Sequence, residues 1–258
     1  MRHSYYVNSN RVATKDSHQH IVNPQTRTRQ IDRTFLSYPM PTCSSFPSGT
    51  IVFVRHGETH TNVANVKRAQ SVLTNPPACS QILTRNGLNQ AINVGQRLRG
   101  HRFTHAYCGT LARTRYTRKV MSWMLPDLQW KFRSELDELN SAILGAKPKQ
   151  SQQMEMYNRQ EQAVLNIWHE LSEVEQTALV VTHGNVVRYL IGLAIGLDVT
   201  KRFSLIADNC SLWAIVRGKN SRWHLLSAND VAHLSRESLR FSHRHEIAKT
   251  NDSLAATT

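Results

Sequence analysis

Between residues 50 and 216 the chain alternates short apolar runs with longer stretches in which apolar residues recur every three or four positions. The runs are Thr50 to Val54, Thr104 to Cys108, Leu128 to Arg133, Ala178 to Thr182 and Ser211 to Val216. Each has the length of a strand. The helical patterns lie at about Thr84 to Arg99 and near 111–125, 151–175 and 185–196. In the first of these, Thr84 is placed to cap a helix whose Leu88, Ala91, Ile92, Gly95 and Leu98 repeat at helical spacing. Strand and helix in alternation predict an α/β fold, a single domain built on a mostly parallel sheet over residues 49–234. No repeat period is visible, which excludes a solenoid.

Outside those limits the pattern stops. Residues 1–48 are rich in Ser, Thr, Asn, His and Arg, with prolines clustered near the end (YPMPTCSSFP), and read as a flexible arm; Ser235 to Thr258 read as a second polar tail. The arm's basic, hydroxylated, acid-poor composition also suits an organellar transit peptide, but it lacks the apolar segment of a secretory signal, so the expected location is cytoplasmic with an organelle as the alternative. The longest apolar stretches, such as Tyr189 to Leu197, fall short of the roughly 20 residues that span a bilayer, and no membrane partner is expected. Cys43, Cys79, Cys108 and Cys210 are scattered, without a CxxC pair, which points to a reducing compartment rather than to a metal knot or disulfide framework.

Charge changes the picture more than size does. The 258 residues carry a formal net charge of +14, and the segment 49–234 alone holds 22 Lys/Arg against 13 acids. The bases are dispersed rather than run together or interleaved with aromatics. A field that attracts a small anion therefore accounts for them better than a nucleic-acid groove. No apolar heptad marks an oligomer interface.

In open α/β sheets ligands bind at the carboxyl ends of the strands, where loops and helix N-termini converge. The polar residues of this chain gather at those ends. Arg55, His56, Gly57 and Glu58 follow the first strand; Arg113 follows the second within GTLARTRYT; Glu135, Asp137 and Glu138 follow the third; His183, Gly184 and Asn185 follow the fourth. One such residue would ordinarily be a solvated or hydrogen-bonded surface group. Two His, two Arg and a Glu converging on one rim describe a site for a dianionic phosphoryl group. Guanidinium forks bind its oxygens, an imidazole can attack phosphorus, and a carboxylic acid can protonate the leaving oxygen.

These residues also carry a resemblance. Arg55-His56-Gly57-Glu58-Thr59 with Asn62, LTRNGLNQA from Leu83, LARTRYT from Leu111, Leu136-Asp137-Glu138, THGNVVR from Thr182 and the closing WHLLSANDVAHL stand in the order and spacing of the histidine phosphatase superfamily, also called phosphoglycerate mutase-like. The chain resembles that family over roughly residues 50–234. The resemblance implies a three-layer fold, with helices on both faces of a mixed, mostly parallel sheet. It implies that His56 is the nucleophile, transiently phosphorylated, with Arg55, Arg113 and His183 clamping the phosphoryl group. Glu138 would be the proton donor to the leaving group and later the base that activates water. Asn62, Glu58, Thr59 and Gly184 would line the same pocket, Glu58 nearer its rim. Fixed cationic donors can stabilise the equatorial oxygens unaided, so neither a cofactor nor a metal is expected, and the partner is a small phosphorylated substrate.

The chain departs from the family pattern at Gly109, where many relatives have the Ser of an SxLxR motif, and in LNSAILGAK after Glu138, which lacks the usual Gly-x-x-x-Glu-Gly. The basic arm before Thr50 is a third departure. The short span between His56 and His183 leaves little room for the capping insertion of phosphoglycerate mutases, so hydrolysis is favoured over mutase-type transfer. A phosphohistidine protein phosphatase and a catalytically weak binding protein of the same fold are the remaining alternatives.

Overall fold

The computed structural model describes residues 45–63, 81–144 and 151–239. All lie within Pro41–Thr258, one of two compact units of the chain. Most of the basic arm, Cys43, Cys79 and the tail beyond Leu239 fall outside the described residues.

Six strands form one sheet: β1 (Thr50–Arg55), β2 (His105–Cys108), β3 (Trp130–Phe132), β4 (Ala178–Thr182), β5 (Leu212–Arg217) and β6 (Trp223–Asp230), in the spatial order β3-β2-β4-β1-β5-β6. The first four are mutually parallel, whereas β5 runs antiparallel to β1 and β6 antiparallel to β5. Among the described residues, helices flank the sheet at α1 (Arg85–Leu98), α2 (Ala112–Met121), α3 (Ser151–Ser172) and α4 (Gly184–Ala194). The expected elements are all present, within a few residues of their predicted bounds. The sixth strand was not expected as a strand. Its residues alternate weakly because it is an edge strand exposed along much of its length.

The sheet's period of two divides the core into two layers. Ile51, Phe53, Tyr107, Val180, Trp213 and Ile215 point to one face and pack with Val164, Ile167 and Leu171 of α3 and Val187, Leu190 and Ile191 of α4. Val52, Val54, Cys108, Leu179, Val181 and Leu212 point to the other and meet Ala91, Val94 and Leu98 of α1 with Val120 and Met121 of α2. Burial on both faces is why β1 and β4 are nearly continuous apolar runs. No described helix is long and apolar enough to cross a membrane.

Helix α1 starts where Thr84 accepts a hydrogen bond from the Gly87 amide on its side chain, as the capping pattern predicts. The helix is rotated from the expected face, however. A Cβ on Gly87 would lie 2.1 Å from the Glu58 carbonyl oxygen, and one on Gly57 would lie 2.6 Å from the Gly87 carbonyl oxygen. This backbone-to-backbone contact turns Gly87 and Gln90 inward with Ala91, Val94, Gly95 and Leu98, and leaves Leu88 40% exposed. The C-terminal segment reinforces the contact. Asn86 Nδ2 and Gln90 Nε2 donate to the Ser238 carbonyl at 3.1 and 2.8 Å, and Leu239 packs against the second layer. The ordered domain therefore continues past Leu234, where the polar composition of the sequence suggests that a tail begins.

Adding one methyl at Gly87 forces the first turn of α1 off the loop after β1. Gly87→Ala is expected to lower unfolding stability by about 3 kcal/mol, the upper range of overpacking costs, as read from urea denaturation midpoints at constant slope.

Candidate active site

The carboxyl ends of β1, β2 and β4 lie side by side at the centre of the sheet. Arg55 pairs with Thr182, and the amides of His56 and Gly109 donate to the carbonyls of Thr182 and Val181 at 2.9 and 3.0 Å. Chain leaving each strand turns at once, so residues far apart in sequence point into one hollow.

His56 is 2% exposed, and its Nδ1 lies 2.8 Å from the Gly57 carbonyl oxygen. A carbonyl only accepts, so Nδ1 carries the proton and the lone pair is on Nε2. The opposite tautomer is set at His183. There Arg113 Nε donates to Nδ1 at 3.0 Å, which puts the proton on Nε2. The two rings meet edge to face with centroids 5.0 Å apart. Both imidazoles titrate well below the usual histidine range. Burial is the main cause, followed at His56 by the Arg55 and Arg113 guanidiniums, and at His183 by His56, Arg113 and Arg55. Both rings are thus neutral, His56 with its lone pair on Nε2 and His183 with its proton on Nε2.

Two cations flank them. Arg55 donates through Nη1 to the Ala207 carbonyl at 2.5 Å, while its Nε is buried without a partner among the described residues, as is Nε2 of His183. Burial lowers the Arg55 guanidinium to about 10, against the opposing pull of Glu138, so it stays charged at neutral pH. Gly184 leaves the space Arg55 occupies, since a Cβ there would be 3.3 Å from Nε. Arg113 is further held through Nη1 by the Gln81 side-chain oxygen. Buried donors without partners, beside cations, form a cradle for an anion.

Glu138 faces this cradle from the loop after β3. Its Oε2 lies 4.0 Å from Arg113 Nη2 and 3.7 Å from His183 Nδ1, and its Oε1 accepts from the Asn185 amide at 3.2 Å. Asn185 is in the first turn of α4, which has no side-chain cap of its own, so the carboxylate supplies one. Desolvation raises its pKa despite the opposing influence of Arg55 and Arg113. A carboxyl with raised affinity for its proton, beside the phosphoryl cradle and 30% exposed, is suited to proton transfer.

The structure brings His56, His183, Arg55, Arg113, Glu138 and Gly184 together. It turns others of the expected residues to different work. Glu58 is buried, with Oε1 accepting from Thr84 Oγ1 at 2.6 Å and Oε2 from Asn86 Nδ2 at 3.0 Å, so its carboxylate ties the β1 loop to α1 instead of meeting a substrate. Thr59 donates its amide and its hydroxyl to Asn62 Oδ1, both at 3.0 Å. Asn62 Oδ1 also accepts from Asn209 Nδ2 at 3.3 Å, and the same Asn209 amide donates to the His56 carbonyl at 2.9 Å. Asn62 thereby links the nucleophile loop to the turn before β5. Asn209 and Gln81 carry no sequence signal of their own; only the fold places them here. Asp137, one of three acids noted after β3, is directed to the start of α2.

By residue type, His56, Glu138 and His183 could also ligate a metal, with donor atoms all within 4.8 Å of one another. Two physical features oppose it: the Nδ1 lone pair of His183 is taken by Arg113, and two guanidiniums repel a cation. The same features favour an anion.

Comparison with known proteins agrees with this geometry. The chain matches the sequence model of the Histidine phosphatase superfamily (branch 1) over residues 51–170 and 145–231. It is 28% identical over 213 residues to a protein of Erwinia tasmaniensis named "Probable phosphoglycerate mutase GpmB", covering 71% of this chain and 94% of that one. A protein of the same name from Yersinia pestis is 29% identical over 222 residues, covering 73% and 96%. Among solved structures, the fold is similar to phosphoserine phosphatase from Entamoeba histolytica in complex with 3-phosphoglyceric acid, with a TM-score of 0.57 at 19% identity over 72% of this chain and 99% of that one. It is also similar to the alpha-ribazole phosphatase of Shigella flexneri, with a TM-score of 0.54 at 21% identity over 70% and 96%.

The depressed pKa of His56 has a thermodynamic consequence. The native ring binds a proton less readily than the same ring in the unfolded chain, so its contribution is whole above the ordinary value of 6.5 and is lost as pH falls below it. Compared with a His56→Gln variant, the wild-type protein is expected to lose about 1.4 kcal/mol more stability per pH unit below 6.5. Urea denaturation of both proteins from pH 7.5 to 5.0 measures the difference; parallel curves would show that His56 is not held neutral.

Proposed function

The chain belongs to the histidine phosphatase superfamily, and from that premise we propose that it is a metal-independent phosphomonoester hydrolase acting through a phosphohistidine on a small anionic metabolite. The observation that carries the reading is the pair of opposed tautomers, a nucleophilic Nε2 on His56 and a donating Nε2–H on His183, under two guanidiniums.

The phosphoryl group of the substrate enters the cradle, where Arg55, Arg113 and His183 donate to its equatorial oxygens. His56 Nε2 attacks phosphorus, the bond from phosphorus to the ester oxygen breaks, and Glu138 gives that oxygen its proton so that a neutral alcohol leaves. Glu138, now a carboxylate, takes a proton from water as the water oxygen attacks phosphorus. The P–N bond breaks, orthophosphate leaves, and His56 regains its lone pair. Positioning and charge stabilisation supply most of the catalysis, and both come from fixed side chains.

Water as acceptor is supported by the partial exposure of Glu138, 30%, and by the lack of a capping insertion among the described residues after it. Between Glu138 and β4 the described residues form one short 3-10 turn, Ser141–Leu144, and helix α3. Mutase-type transfer is the second reading, favoured by the names of the curated relatives. Incubation with 3-phosphoglycerate distinguishes the two: orthophosphate marks hydrolysis, and 2-phosphoglycerate marks transfer.

Turnover of p-nitrophenyl phosphate is expected to survive chelator and to be abolished by His56→Ala; dependence on added Mg²⁺ would overturn the mechanism. Glu138→Gln is expected to slow phosphorylation of His56 by an alkyl phosphate on the order of 10² to 10⁴-fold and by p-nitrophenyl phosphate far less, because p-nitrophenolate leaves without a proton. Single-turnover rates read this directly. Equal slowing of both substrates would remove Glu138 from the role of acid.

A further inference from the structure

Arg113 sits in the first turn of α2, so its aim depends on where that helix starts. The start is unusual. Leu111, at the N-cap, has no side chain that can accept from the orphan amides of the first turn. What the loop after β3 holds instead is the pair of residues that lead into the helix, Thr110 and the N-cap Leu111. Asp137 Oδ1 accepts from the Thr110 amide at 2.6 Å and from the Leu111 amide at 3.2 Å, and Oδ2 accepts from the Thr110 hydroxyl. Residue 109, a glycine, lies close against this contact. A Cβ there would lie 3.0 Å from Asp137 Oδ1, 3.0 Å from the Leu136 carbonyl oxygen and 3.3 Å from Thr114 Oγ1. Asp137 is also the residue before Glu138, so the carboxylate that fixes the helix start and the one that faces the cradle share a backbone.

We infer that Asp137 is a positioning residue: its carboxylate pins the N-terminus of α2, sets the direction of Arg113 toward the phosphoryl group, and locks the Glu138 loop to the clamp across the ends of β2 and β3. A side chain at Gly109 would make Asp137 give by a few tenths of an ångström, so the glycine eases this device. Charge works in the same direction, because an anion at a helix N-terminus is favourable and Asp137 helps to keep the neighbouring Arg113 protonated against desolvation. Asp137 itself touches no reacting atom; it acts through Arg113 and through the loop that carries Glu138.

The inference rests on the phosphoryl-binding reading of the site, and its test separates the two. Binding of inorganic phosphate is measured by calorimetry, and phosphorylation of His56 by single turnover, for wild type, Asp137→Ala, Asp137→Asn, Gly109→Ala, Arg113→Ala and the double variant Asp137→Ala/Arg113→Ala. Thermal midpoints identify any variant that fails to fold. Asp137→Ala is expected to weaken phosphate binding about 10-fold and to slow phosphorylation on the order of 10²-fold, the scale of a 1 Å misplacement. Asp137→Asn, which keeps the acceptor for both amides, restores most of that loss, and Gly109→Ala, which displaces Asp137 slightly, reproduces part of it. In the Arg113→Ala background the Asp137→Ala change adds little to the loss of phosphate affinity, because the group it positions is gone. Full additivity in that cycle, or wild-type phosphate affinity in folded Asp137→Ala, overturns the inference. A wild-type protein that binds phosphate in this Asp137-dependent way but hydrolyses no phosphomonoester would overturn the proposed function and leave the inference standing.

Discussion

The rest of the site follows from the burial of Arg55. Its guanidinium ends β1, a central strand, where it is largely withdrawn from water and its pKa falls to about 10. The structure keeps it charged by a short bond to the Ala207 carbonyl and by the facing carboxylates of Glu138 and Asp208. Once that charge is fixed, its neighbours have little choice. A second positive charge on His56 or His183 would lie in the same desolvated hollow, so both rings stay neutral. Their tautomers are then set by the nearest fixed partners, the Gly57 carbonyl in one case and Arg113 in the other. Burial first, and the guanidiniums beside it second, thereby leave the His56 lone pair free on Nε2.

The two core layers explain why such a site can be held still. Strands β1 and β4 are packed on both faces, and the loop that leaves β1 is fastened within three residues: Gly57 to Thr117 at 3.0 Å, Glu58 to Gln90 at 2.8 Å, and the His56 carbonyl to Asn209 at 2.9 Å. Each fastening pairs a backbone group of the loop with a side chain that is itself buried. Glu58 and Thr59 belong to this scaffold. Their side chains are bonded within the loop and to α1, so they hold the segment that carries His56.

Much of this was legible in the sequence, and the parts that were not share a cause. Apolar runs of five residues and helical spacing located β1 to β5 and α1 to α4, because buried elements must write their periodicity into the chain. The site's principal residues could be found because strand ends converge in any sheet of this class. Strand β6 was missed because an edge strand, half exposed, imposes weak patterning. Leu88 was misplaced because a glycine contact, not an apolar stripe, fixed the rotation of α1. Asn209, Gln81 and the hold of Asp137 on Thr110 and Leu111 depend on contacts between residues 26 or more apart, and no local pattern encodes such contacts.

The polar groups of the hollow remain incompletely matched by the protein itself. Arg55 Nε and His183 Nε2 are buried donors with no partner among the described residues, and orphaned donors of this kind cost roughly 1 to 3 kcal/mol each. A fold selected only for stability would fill such positions with a carbonyl or an apolar side chain. Both unsatisfied donors lie beside the charged Arg113 and the neutral His56 ring, so a group that brought acceptor oxygens to them would remove that cost while meeting favourable charge. The strong net positive charge of the chain adds a long-range field of the sign that attracts anions.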